Sequence, residues 1–321
     1  MKHIFKKLFT LGAALLLGTG MAGMLGGCGK ADDGKLKIVT TVYATYDLAL
    51  QMSEKAGISC GITLLLSPGG ESHAYEPSPA DVSAIQSCDL FIYIGGTSEQ
   101  WADKLIESSR SGKRNLRMFD CVSLLNEEEV EGMEPEHEED HAHGEAEIDE
   151  HIWTAPLNAD KMLAAINMQF KELRPEDADK CDKACAEIHD ELLALDAEAR
   201  EISETCEKHT LVFADRFPFR YLTDAYGWDY YAAFPGCSSD TDASAATLSF
   251  LIQKVQDEHI QTVFYLENSS QKISDAVCKA TGAKAVMLQS CNNVSKEDFH
   301  SRKHYQEIMK ENLAAIREAL S

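Results

Sequence analysis

Residues 175–204 read PEDADKCDKACAEIHDELLALDAEAREISE, and the fold turns on this stretch. Pro175 suits the first position of a helix, where its missing amide hydrogen costs nothing. From Glu176 to Glu204 there is neither glycine nor proline, and the segment is rich in the helix formers Ala, Glu, Leu and Lys. At about 1.5 Å per residue such a helix runs about 45 Å. That length lets it cross from one domain to another as a stiff spine.

On its amino-terminal side, strands alternate with helices. Leu36 to Val42 reads as a strand, Tyr46 to Ala56 as a helix stopped at Gly57, and Ile62 to Leu66 as a strand stopped by Pro68-Gly69-Gly70. Ser78-Pro79-Ala80-Asp81 opens a helix, with serine at the cap, proline at the first position and an acid in the first turn. Leu90 to Ile94 is a wholly apolar strand before Gly95-Gly96. Apolar strands between helices are covered on two faces, which indicates a largely parallel sheet. Asn158 is expected to cap a helix running through Leu173. Beyond the spine, Leu211-Val212-Phe213 opens a second set, with strands at Gln261 to Leu266 and Lys284 to Leu288 and a closing amphipathic helix from Lys303 to Leu320. No internal repeat is visible. The expected fold is α/β: two lobes with mainly parallel sheets, 35–157 and 207–321, joined through a helical linker, 158–206, that contains the spine.

The start of the chain carries Lys2, Lys6 and Lys7, then an uncharged run from Leu8 to Leu17, then small residues and Cys28. This is the layout of a secretory signal, too short and glycine-rich to span a membrane comfortably. Leu25-Gly26-Gly27-Cys28 resembles a lipobox, which implies a signal peptide over 1–27, an acylated Cys28, a tether over 28–34, and a protein held outside the bacterial cell membrane by its lipid. The sequence has 30 basic and 53 acidic residues, a formal charge of −23. Removing Lys2, Lys6 and Lys7 with no acid takes −23 to −26. Such a surface repels nucleic acid and attracts cations. Of 10 cysteines, nine remain beside Cys28, an odd number that cannot all pair internally. Glu127 to Glu150 is almost entirely Glu, Asp, His and Gly, without apolar period, and reads as an exposed loop.

Two histidines have distinctive settings. His73 lies in Pro68-Gly69-Gly70-Glu71-Ser72-His73-Ala74-Tyr75-Glu76-Pro77-Ser78-Pro79, after a strand and before a helix, where α/β sheets bind ligands. His151 lies in Asp149-Glu150-His151-Ile152-Trp153-Thr154-Ala155-Pro156, again before a helix. Neutral imidazole is a common ligand of zinc. These two segments resemble the signature motifs of the zinc/manganese substrate-binding lipoproteins of bacterial ABC importers, roughly Pro-His-Ser-Tyr-Glu-Pro-Ser-Pro and Asp-Pro-His-Ile-Trp. The resemblance extends over nearly the whole mature chain. It implies a monomeric binding protein without turnover that carries Zn(II), with Mn(II) as the alternative cargo, in a cleft between lobes and delivers it to an ABC permease in the cytoplasmic membrane. It makes His73 and His151 the first two ligands. The family's third ligand begins a motif like His-Asp-Ala-Phe-Gly-Tyr, where this chain reads Ala214-Asp215-Arg216-Phe217-Pro218-Phe219. Asp215 is therefore the candidate third ligand, against the bland reading that it pairs with Arg216 or Arg220. The fourth position falls near Cys291-Asn292, so Cys291 is considered with Glu267, at a strand's carboxyl end, and more weakly Cys237. The acidic loop holds His137, His141 and His143, a metal-collecting segment that in this family marks zinc members.

Cys181, Cys185 and His189 share one face of the spine helix, a pattern that fits a packing stripe better than a second metal site. The competing class is a metallohydrolase. It needs an open zinc position and a placed base, and no His-Glu-x-x-His helix, nucleophile elbow or phosphate-cradling loop is present. A surface metal buffer or adhesin would keep the fold and change the role.

Overall fold

The computed structural model describes residues 34–70, 75–108, 114–134, 147–238 and 242–321. The first lobe contains β1 (Leu36–Thr40), α1 (Tyr43–Ala56), β2 (Cys60–Leu64), α2 (Pro79–Ser87), β3 (Leu90–Tyr93), α3 (Gln100–Ser108) and β4 (Arg114–Arg117). Helices α4 (Pro156–Leu173) and α5 (Ala178–Thr205) follow. The second lobe contains β5 (Thr210–Phe217), α6 (Arg220–Tyr226), β6 (Asp229–Pro235), α7 (Ala245–Asp257), β7 (Thr262–Leu266), α8 (Lys272–Thr281), β8 (Lys284–Leu288), α9 (Lys296–Ser301) and α10 (Tyr305–Leu320). Cys28 and residues 1–33 lie outside the described residues.

Each lobe has one four-stranded sheet, β2-β1-β3-β4 and β6-β5-β7-β8, with every strand pair parallel. The two orders are the same, so the architecture repeats although the sequence shows no repeat. In each sheet the chain leaves its first strand to one side and returns on the other. The carboxyl ends at that reversal are the natural ligand position.

The spine is 28 residues long, about 42 Å. Pro175–Asp177 forms a separate 3-10 turn ahead of it, so the helix proper starts later than the proline suggests. Its buried face runs Cys181, Ala184, Ile188, Leu192, Leu195, Ala199 and Ile202, at steps of three and four. It packs against α1, α4 and α10, and one apolar cluster runs through both lobes from Leu36 to Leu320. Cys181 belongs to that stripe, while the half-exposed His189 turns its Nδ1 to Asp160 at 2.6 Å. The packing reading of this face holds for Cys181. Asn158 does not cap α4: Pro156 occupies its first position and Ala155 precedes it. Among the described residues the nine cysteines form no disulfide.

Hydrogen bonds also join the lobes. Trp153 Nε1 donates to Ser290 O at 2.7 Å, and Tyr305 OH donates to Trp153 O at 2.6 Å. The Tyr43 amide donates to Asn292 O at 2.9 Å, and Asn293 Nδ2 donates to Ser67 O and Gly70 O, each at 2.8 Å. Among the described residues no helix is long and apolar enough to cross a membrane.

Candidate metal centre

His151 is set by the chain on either side of it. Before it, Leu125–Glu127 and Glu147–Asp149 pair as a short antiparallel stem: Glu127 N donates to Glu147 O at 2.7 Å and Asp149 N to Leu125 O at 3.0 Å. Tyr221 OH donates to Asp149 O at 3.0 Å from the second lobe. After it, Thr154 closes a 3-10 turn onto His151 O, and Pro156 starts α4. The imidazole is only 2% exposed and meets Trp153 edge to face at 5.5 Å.

Asp149 fixes its orientation. One carboxylate oxygen accepts the His151 backbone amide at 2.8 Å and faces the ring Nδ1 at 3.2 Å. With the proton on Nδ1, toward Asp149, the ring carries its lone pair on Nε2, the tautomer a metal ligand needs. This carboxylate–histidine pairing is how metal-binding imidazoles are commonly oriented. Burial alone would depress the imidazole's pKa, but Asp149, by charge and hydrogen bond, with Glu150 and Glu127 behind it, raises it above the usual value. A cation replacing that proton would meet the same carboxylates.

The His151 ring lines two hollows of about 30 Å³ each, room for about two water-sized ligands. The first is lined by Thr41, Glu99, Glu150, Tyr75 and Trp101, and the second by Arg216, Glu267, Asn268, Ser290 and Asn293; Asn292 borders both. Most of these residues come from the carboxyl ends of β1, β3, β7 and β8 or the turns just beyond them. Tight turns bring some of them in. A Cβ on Gly96, whose φ is +101°, would meet Glu150 Oε1 at 2.5 Å. One on Gly236 would lie 2.8 Å from Phe217 O and 3.2 Å from Asp149 Oδ2. The turns beyond β7 and β8 pass through left-handed backbone at Asn268 (φ 66°) and Cys291 (φ 58°), strained for residues with a side chain.

Glu267 directly follows β7, and both of its oxygens accept from Ser290, one from the backbone amide at 2.9 Å and the other from the hydroxyl. Burial pushes its carboxyl up to about 7, against the pull of Ser290 and of the Arg216 guanidinium. A carboxylate so desolvated gains from a nearby cation. Asp215 is placed otherwise. One oxygen accepts the Arg216 amide at 2.9 Å and the other the Leu266 amide at 3.2 Å, so the side chain braces β5 against β7 and lines neither hollow. Cys291 is fully buried, and burial raises its thiol well above the ordinary range. Cys237 is similarly raised by burial, with Glu127 adding to the effect, and its amide donates to Glu127 Oε1 at 2.8 Å. Neither presents a ready thiolate.

His73 lies outside the described residues, as do His137, His141 and His143. Gly70 and Tyr75, to either side of His73, line the second and first hollow respectively. Among the described residues no three His, Cys, Asp or Glu side chains gather as a metal cage. The fit to a cation therefore rests on one oriented imidazole and one desolvated carboxylate in the same hollow.

The chain matches, over residues 38–319, the family model described as zinc-uptake complex component A, periplasmic. It belongs to that family. It is 32% identical over 292 residues to the zinc-binding lipoprotein AdcA of Streptococcus pneumoniae, covering 90% of this chain and 56% of that one, so it spans little more than half of that relative. It is 31% identical over 331 residues to the high-affinity zinc uptake system protein ZnuA of Bacillus subtilis, covering 99% of each. Among solved structures, the Zn(II)-bound ZnuA-like domain of S. pneumoniae AdcA superposes with a TM-score of 0.73 at 28% identity, covering 89% of this chain and 99% of that domain.

In the second lobe Ala214 is 2% exposed and belongs to the apolar cluster that includes Val212 and Phe234. The β5–β6 register slips between Phe213 and Arg216. Beyond the slip, Arg216 lines the second hollow. Asp149 and Glu127, which brace His151 and the second lobe, read in the sequence as two more acids of a flexible segment. The only signal for Asp149 was its place two residues before the histidine.

Proposed function

We propose that this protein captures a divalent transition metal outside the cytoplasmic membrane, zinc foremost and manganese as the alternative, and hands it to an ABC-type permease without chemical turnover. His151 and His73 bind the ion, with Glu267 as the carboxylate from the second lobe. The observation that carries this reading is the buried His151 imidazole held by Asp149 on the border of a hollow that also contains Glu267. Imidazole nitrogen favours zinc over manganese, which prefers oxygen. The names of AdcA and ZnuA, both zinc proteins, support the same choice. The loop with His137, His141 and His143 collects ions ahead of the cleft, since its stem ends at Asp149, two residues before His151. The protein acts as a monomer, held at the membrane by an acylated Cys28.

Competitive zinc titration with elemental analysis tests this. The wild type should take one tight equivalent, keep it when residues 135–146 are deleted, and lose it in the His73→Ala/His151→Ala double variant. Tight binding that persists without both histidines refutes the proposed site.

A further inference from the structure

Resting on that metal-site reading, we infer that Tyr221 of the second lobe is a positioning residue for the metal: its hydroxyl completes the stem that carries Asp149, and through Asp149 it fixes the His151 imidazole. A metal ligand has to be held to about 0.5 Å, and that precision comes from the groups behind it. Behind His151 stands the Asp149 carboxylate, at the end of a two-stranded stem. Among the described residues that stem has a single bridge, Asn126 to Ile148. Such a ribbon is marginal by itself.

Leu125 and Asp149 lie opposite each other at the end of the stem. An antiparallel pair in this position exchanges two backbone bonds. One is made, from Asp149 N to Leu125 O at 3.0 Å. In place of the other stands Tyr221, whose hydroxyl accepts from the Leu125 amide at 3.0 Å and donates to Asp149 O at 3.0 Å. The strands are thus joined at Asp149 through a phenol oxygen of α6. Tyr221 is 3% exposed within the main apolar cluster, and burial pushes its pKa upward, so the hydroxyl keeps the proton it donates. Helix α6 also packs against the turn Ile152–Thr154 that follows His151. One helix of the second lobe therefore supports the chain on both sides of a first-lobe ligand. The strand before the loop rests on the same lobe: Cys237 N donates to Glu127 Oε1 at 2.8 Å, and Glu134 N donates to Ala233 O at 2.9 Å.

The test is competitive zinc titration of the wild type, Tyr221→Phe, Asp149→Asn and the double variant, with Tyr226→Phe as control. Tyr226 lies on the same helix but donates to Asp196 Oδ1 of the spine, at 2.9 Å. Asp149→Asn should weaken zinc binding about 10–100-fold and Tyr221→Phe about tenfold, with the double variant no weaker than Asp149→Asn alone. Tyr226→Phe should melt at a lower temperature and bind zinc as the wild type does, which is how a merely structural tyrosine behaves. One measurement needs no variant. A clamp that favours the metal is favoured by it in return, so amide exchange at Leu125 in the wild type should slow on zinc loading. Wild-type affinity in Tyr221→Phe, losses that add in the double variant, or Leu125 exchange indifferent to zinc overturns this inference and leaves the metal site standing. Tight binding that survives His73→Ala/His151→Ala, or no zinc binding by the wild type, overturns the metal-site reading itself, and this inference with it.

Discussion

Glu99 shows what the cleft demands of a single residue. It is 8% exposed, and one oxygen accepts the amides of Ile94 at 2.7 Å and Gly95 at 2.9 Å. Burial pushes its carboxyl up to about 7, despite help from those amides and Thr41, and Glu150 pushes the same way. A carboxyl that holds its proton more tightly folded than unfolded supports the fold fully below its ordinary value of 4.5, and that support is lost as pH rises through about 7. Glutamine keeps the acceptor and removes the charge. Glu99→Gln in the metal-free protein should therefore be more stable than the wild type at pH 8, by about 3 kcal/mol at most, and no more stable at pH 4. Urea unfolding at the two pH values measures this. A loss at pH 8 would mean that the anion is needed to hold the two amides. The same scale explains what the sequence revealed of the site. His151 was legible because its motif is local. Arg216 was not, because its place depends on a register slip between β5 and β6, a pairing made only after α6 intervenes.

At the scale of elements, α1 and α10 are clasped through one carboxylate. Asp47, 1% exposed, faces His304 Nδ1 at 2.9 Å and accepts the Tyr305 amide at 2.8 Å and Gln51 Nε2 at 2.6 Å. The hydrogen bond to Asp47 raises the His304 pKa, against partial desolvation and with the charges of Asp47, Glu307 and Glu54 in support. A histidine raised in this way stabilises the fold fully below its unfolded value of 6.5, and the contribution fades as pH rises through the folded value. His304→Ala should thus destabilise the protein more at pH 5.5 than at pH 9. A pH-independent difference in thermal denaturation would remove the charge from the explanation. Helix α2, with its strong start signal, was read correctly from sequence. Ser78 caps α2 with a reciprocal Asp81 bond, as Ser-Pro-Ala-Asp suggests. Strands β4 and β6 were missed: Arg-Asn-Leu-Arg is a charged edge strand, and Asp229–Pro235 begins polar and ends in proline, so neither shows the apolar run of β3.

For the whole molecule, the two sheets invite the picture of lobes that close on a ligand, yet the packing opposes it. One apolar cluster includes residues of both lobes and the spine between them. Trp153, two residues beyond His151, donates across to Ser290, the residue that holds Glu267. The candidate ligands of the two lobes are thus linked through a buried indole rather than a hinge. Two expectations follow. Scanning calorimetry should show one unfolding transition with equal calorimetric and van't Hoff enthalpies, and the radius of gyration from X-ray scattering should not change on adding zinc. Trp153→Phe removes the donor and leaves Ser290 O buried without it, which costs about 1–3 kcal/mol. It should also loosen Glu267, so zinc affinity should fall although no ligand has been touched. Two separate transitions in the wild type, or a contraction on loading, would mean that the lobes behave as hinged bodies and that the cleft is assembled by closure rather than built in advance.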